Sequence, residues 1–165
     1  MNCFICNQPI GNVPLCYGSP APYYYLALSE EERAKRCEIN DDLCVIDGRY
    51  FFVRGRVEIP IVDSDDLFCW NVWVSLSEDN FIRMNELWNV AGRENEDPYF
   101  GWLSTELPEY PSTLSLKTEV ITQPVGLIPK IFLEPSDHPL SLEQRNGITM
   151  ERVFELAHLI LHNKD

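Results

Sequence analysis

The chain has no apolar stretch approaching the ~20 residues a membrane span requires, and its start carries neither the basic region nor the apolar run of a secretion signal. Those absences predict a cytoplasmic protein with no membrane partner. Basic residues are scarce, 13 Lys and Arg against 26 Asp and Glu, for a net charge of -13. Such a field repels phosphate backbones, so nucleic acid is not an expected partner. The densest basic cluster, Arg33, Lys35 and Arg36, is flanked by Glu30, Glu31, Glu32 and Glu38 and reads as a mixed-charge helix face. The motifs GxGxxG, GxSxG, HExxH and the phosphate-loop GxxxxGK are all missing. The usual support for dinucleotide, hydrolase-elbow, zincin and phosphate-loop chemistry is therefore lost.

What is present is ordinary globular material. At 165 residues, with 45% hydrophobic and 24% charged side chains, one domain over 1–165 is expected. Turn signals at Asn7-Gln8-Pro9, Gly11-Asn12 and Gly18-Ser19-Pro20 make the first 45 residues a Cys-bearing, loop-rich segment, and the core begins at residue 46. The run Tyr23-Tyr24-Tyr25 needs a surface to pack against. Ser29, followed by Glu30, Glu31 and Glu32, predicts a helix over 29–36 with a capping box.

From Leu43 the texture is that of strands. "LCVID" and "RYFFVRGRVEIPIV" flank Asp47-Gly48, a tight-turn pair, and "FCWNVWVSLS" alternates Trp70, Val72, Val74 and Leu76 against Cys69, Asn71, Trp73 and Ser75. Ser77 caps a second helix running to about 89. Pro108 and Pro111 limit "YFGWLSTELPEYPSTL" to an edge strand or an ordered loop. Two further strands follow, in "LSLKTEVIT" and "GLIPKIFLEP". Thr149 caps a terminal helix whose Val153, Leu156, Ala157, Ile160 and Leu161 form an apolar stripe. The pattern predicts an α+β fold: a mainly antiparallel sheet packed with helices, including that amphipathic C-terminal one.

Two groups of residues have chemistry to offer. Cys3-x2-Cys6 is one half of a zinc knuckle, and Cys37 with Cys44 supplies a second pair across the end of the first helix and the start of the first strand. Cys16 is a spare. The competing reading is reduced, partly buried thiols, because cytoplasmic reductants disfavour disulfides. A redox role for Cys3 and Cys6 lacks the strand-to-helix setting that stabilises a thiolate. His138, with Glu134, Asp137 and Arg145 nearby, is the candidate general base of an enzyme acting on a small molecule, while Asp137-His138-Pro139 also reads as a turn. Glu151, Glu155, His158 and His162 lie opposite the apolar stripe of the last helix and read as a solvated face.

The segments "DLCVID", "FFVRGRVEIPI", "WVSLSEDNF", "YFGWLSTELPEYPSTLSLKT" and "LEPSDHPLSLEQRNGIT", in this order after an amino-terminal CxxC, resemble the bacterial family catalogued as domain of unknown function 2199. The resemblance spans nearly the whole chain and implies no activity, cofactor or substrate. It implies that Cys3, Cys6 and Cys44 belong to a family pattern. The resemblance also implies, as in many members, a His several residues after the second Cys. "CNQPIGNVP" has none, which leaves Cys37 as the fourth ligand. The reading is a non-enzymatic binding or interaction protein with a structural zinc site. Its partner is a protein or a small molecule, and a basic protein is what the charge suits, although such charge also serves solubility alone.

Overall fold

A computed structural model describes residues 13–161. The chain enters as a short strand, β1 (Cys16–Gly18), then one helical turn, α1 (Tyr23–Leu26), and a helix, α2 (Glu30–Arg36). Ser29 caps α2 as expected: its hydroxyl accepts from Glu32 N at 3.1 Å, and the Glu32 carboxylate accepts from Ser29 N at 3.2 Å.

Three antiparallel strands follow, β2 (Cys37–Ile39), β3 (Leu43–Ile46) and the long β4 (Tyr50–Pro60). Asp47 and Gly48 between β3 and β4 both take positive φ, 57° and 65°, the backbone this tight turn demands. β4 pairs with β5 (Leu67–Leu76) from Phe51↔Leu76 through Pro60↔Leu67. Then come α3 (Glu78–Glu86), β6 (Tyr99–Leu103), β7 (Lys117–Ile121), β8 (Lys130–Leu133), α4 (Pro139–Asn146) and α5 (Met150–Leu161).

The α+β expectation holds in its coarse form, but the sheet is mixed rather than mainly antiparallel, and it closes on itself. β1 runs parallel to β5 and β8 parallel to β4; the second pairing joins β4, β5, β6, β7 and β8 into a five-stranded barrel. The length of β4 makes this possible. One edge of β4 is shared, with Tyr50–Val53 on β3 and Arg56 opposite Lys130 of β8, where Arg56 N donates to Pro129 O at 3.0 Å. Between the two halves sits Gly55. A Cβ there would lie 2.5 Å from the Ile131 side chain, so glycine lets the barrel wall approach its own first strand. Closure also removes two exposed edges.

β6 is likewise not an edge strand, since it lies between β5 and β7; the two prolines fall in the loop after it. α4 was legible only as a turn. The barrel is filled by Val53, Val57, Ile59, Phe68, Trp70, Val72, Val74, Leu103, Val120 and Ile131, and Leu140 of α4 with Val153 and Leu156 of α5 joins the same cluster. Each such side chain contributes about 1.5–3 kcal/mol relative to leaving it in water. On the outer face a second cluster of Cys44, Ile46, Phe52 and Trp73 is covered by Tyr25, Leu28 and Cys37 of the amino-terminal segment. That is the surface the tyrosine run needs. Among the described residues, no helix is long and apolar enough to cross a membrane.

Candidate binding groove

The row of residues crossing β4, β5 and β6 reads Phe52, Ser75, Trp102, each opposite the next. A small side chain between two large rings leaves a trough with Ser75 at its floor. Ser75 and Ser104 hydroxyls both donate to Trp102 O, at 3.5 and 3.0 Å, and hold that strand's path. The trough widens into a groove of about 940 Å³ whose amino-terminal wall is Tyr24, Ala27 and Leu28 and whose lining also includes Tyr50, Phe51 and Leu76.

Three of its aromatics remain open to solvent: Tyr24 is 44% exposed, Tyr50 51% and Trp102 43%. Each is held in place by a neighbour. Tyr24 stacks on Phe52 with ring centroids 6.1 Å apart, Arg49 lies 5.3 Å over Tyr50, and Phe100 meets Trp102 edge-on at 5.0 Å. Large rings exposed around one concavity are a feature that marks a surface something else covers.

The rim is charged but compensated. Arg36 donates to both oxygens of Asp47 at 2.7 Å and to Glu32 at 3.0 Å. Those bonds raise the guanidinium pKa, and the same hydrogen bonds hold the Asp47 carboxyl below the usual carboxylate range. Glu32 is lowered too, chiefly by its bonds to Ser29 and then by Arg36. Ser115, at the lip, has φ of 66°, a left-handed backbone uncommon for serine.

The residues of the alternative enzyme reading lie around the start of α4. His138 caps α4: Nδ1 accepts from Leu140 N at 3.1 Å, and Nε2 lies 3.0 Å from Pro111 O and 3.1 Å from Ser112 O. Two carbonyls at Nε2 call for that nitrogen to donate, so both ring nitrogens are engaged in holding the turn. Arg145 is bound to Ser136 O at 2.6 Å, and Glu134 and Asp137 are exposed. The cluster is a structured turn.

Of the four proposed zinc ligands, Cys3 and Cys6 lie outside the described residues. Cys37 and Cys44 share a face of the β2–β3 hairpin, since Cys37 opposes Ile46 and Cys44 opposes Ile39. Burial pushes the Cys44 thiol up to about 12 and raises Cys37 as well. Among the described residues there is no group of three or more His, Cys, Asp or Glu placed to hold a metal. Cys16 is not a spare thiol: it is joined to Cys69 as a disulfide, with the Cα atoms 4.6 Å apart. A sequence separation of 53 hides a parallel register that sets the two side by side. In the last helix Glu151 and Glu155 are exposed and His158 is half-buried, while His162 lies outside the described residues.

Of the aromatics in the segments 70–73 and 99–102, Trp70, Trp73 and Tyr99 are core, and Trp102 lines the groove. Phe51, Phe52 and Tyr50 gave no functional signal; the large-small-large row exists only once register is known.

A family model described as "Uncharacterized protein conserved in bacteria (DUF2199)" matches residues 2–148. No curated protein and no solved structure matches the chain.

Proposed function

The chain belongs to this bacterial DUF2199 family, and on the geometry of its groove we propose that it is a binding protein that seats an apolar side chain of a basic partner protein. The observation that carries this reading is the concavity of about 940 Å³ with Tyr24, Tyr50 and Trp102 open around it. Charge complementarity names the partner's chemistry: the arginines at the rim are engaged by Asp47, Glu32 and the Tyr50 ring, so the net charge of -13 dominates at a distance.

A short peptide alternating leucine and lysine is a direct probe. It should bind with an affinity that falls as salt is added, and Trp102→Ala or Tyr50→Ala should weaken it about tenfold, as loss of a central aromatic contact does. Equal binding by the wild type and both variants, or equal binding of a leucine and glutamate peptide, would refute the reading.

A structural zinc ion is a separate proposal, supported by the shared face of Cys37 and Cys44. With Cys3 and Cys6 they would supply four thiolates and add folding energy. Zinc content of protein purified without chelator decides it, one equivalent for and less than about a tenth of an equivalent against.

A further inference from the structure

We propose that the Cys16–Cys69 disulfide is a redox latch on the groove, so that reduction by a dithiol loosens the wall made by Tyr24, Ala27 and Leu28 and weakens binding there. This rests on the reading of the groove as a binding site.

The wall is the end of a belt that runs from the edge of β5, where β1 pairs with it, onto its outer face at Trp73. The belt starts at β1, where Cys69 N donates to Leu15 O at 2.8 Å and Ser19 N to Asn71 O at 3.2 Å. It continues through the Trp73 indole, whose Nε1 donates to Ser19 O at 3.1 Å, and the buried Ala21. It reaches the groove where Tyr23 N donates to Ser104 O at 2.8 Å. On its far side α1 is held by Arg33, which donates to Tyr25 O and Leu26 O at 3.0 and 2.9 Å.

Among the described residues the disulfide is the covalent tie between this belt and the barrel. Without it, β1 is a parallel ladder of three residues, too short to be stable alone. Local opening then works against a few hydrogen bonds and the packing of Leu15, Tyr17, Tyr25 and Leu28 alone, with no covalent tie, and apparent affinity falls in proportion to the closed fraction.

The chemistry is accessible from one side. Cys16 is exposed and Cys69 is only 6% exposed. A thiolate of the dithiol attacks Cys16 Sγ, the Sγ–Sγ bond breaks, and Cys69 leaves as a thiolate that takes up a proton. The reductant's second thiol then displaces Cys16. Two electrons and two protons pass to the protein, and the reductant leaves as its own disulfide. The Asn71 amide donates to Cys16 Sγ at 3.4 Å, a contact that favours negative charge on that sulfur during the exchange.

The test uses the whole chain, the leucine and lysine peptide, and dithiothreitol as the dithiol. Intact mass should rise by about 2 Da on reduction of this bond, and peptide affinity should fall about fivefold or more. Cys16→Ser should bind like the reduced wild type and be insensitive to dithiothreitol, which separates this bond from the other cysteines. Hydrogen exchange at Ser19–Leu28 should quicken on reduction while barrel amides stay protected, distinguishing a loosened belt from unfolding. If oxidised and reduced protein bind equally while Trp102→Ala binds more weakly, the latch is refuted and the groove stands. If neither Trp102→Ala nor Tyr50→Ala has an effect, the groove reading fails and the latch with it. Free Cys16 and Cys69 thiols in protein isolated in air also overturn the latch.

Discussion

Replacing Arg93 with alanine should be among the most damaging single changes outside the core. Arg93 sits on a helical turn at Arg93–Asn95 and is 8% exposed. Its guanidinium donates to four carbonyls: Trp88 O at 2.9 Å, Gln123 O at 2.8 Å, Pro124 O at 3.2 Å and Leu127 O at 2.9 Å. It also lies 5.6 Å over the Trp88 ring. One cation thereby closes the end of α3 onto the loop between β7 and β8. Pro124 and Leu127 are exposed, so water replaces the lost donor there, but Trp88 and Gln123 are half-buried. At ~1–2 kcal/mol for each carbonyl left short of a partner, Arg93→Ala should cost about 3 kcal/mol. For a chain of this size that is a drop of roughly 6–12 °C in melting temperature. Arg93→Lys should regain at most half, because an ammonium radiates its donors from one atom and cannot span four carbonyls. Urea unfolding should show a lower midpoint with an unchanged slope. A loss under about 1 kcal/mol, or a fully stable lysine variant, would refute the reasoning.

Two other outcomes follow from the same kind of reasoning. Joining residues separated by 53 positions removes loop entropy from the unfolded chain worth about 4 kcal/mol, so the Cys16→Ser, Cys69→Ser double variant should be destabilised by that order in urea without reductant. Equal midpoints would count against the cross-link. The Asp47 carboxyl, depressed by Arg36, should contribute stability that is complete above the unfolded value near pH 4 and lost as pH falls through the lower folded value. Melting temperature should thus fall more steeply below about pH 4 for wild type than for Asp47→Asn, which keeps the left-handed turn. Parallel pH profiles would show that the pair contributes nothing.

Much of the fold was legible because its signals are local. Ser29, Ser77 and Thr149 start helices where they stand, and Asp47-Gly48 turns the chain between two strands. The alternation along β5 placed Trp70, Val72, Val74 and Leu76 in the core without further help. His138 carries two local readings, chemistry or a turn, because a polar side chain before proline suits both, and in the structure it is the cap of α4. The prolines of the aromatic segment suggested an edge, yet they act only on the loop after β6, leaving the strand free to pair on both sides.

The sequence by itself determined the helix starts, the strand faces, the acidic field and the family, since capping, period-two burial and net charge depend on neighbours in the chain. Only the tertiary structure decided that the sheet closes through Gly55, that Cys16 meets Cys69, and that Ser75 lies between Phe52 and Trp102. Those are facts of register between strands far apart in sequence. Register is set by the whole packed barrel, where a slip of one residue would turn each of these side chains to the other face.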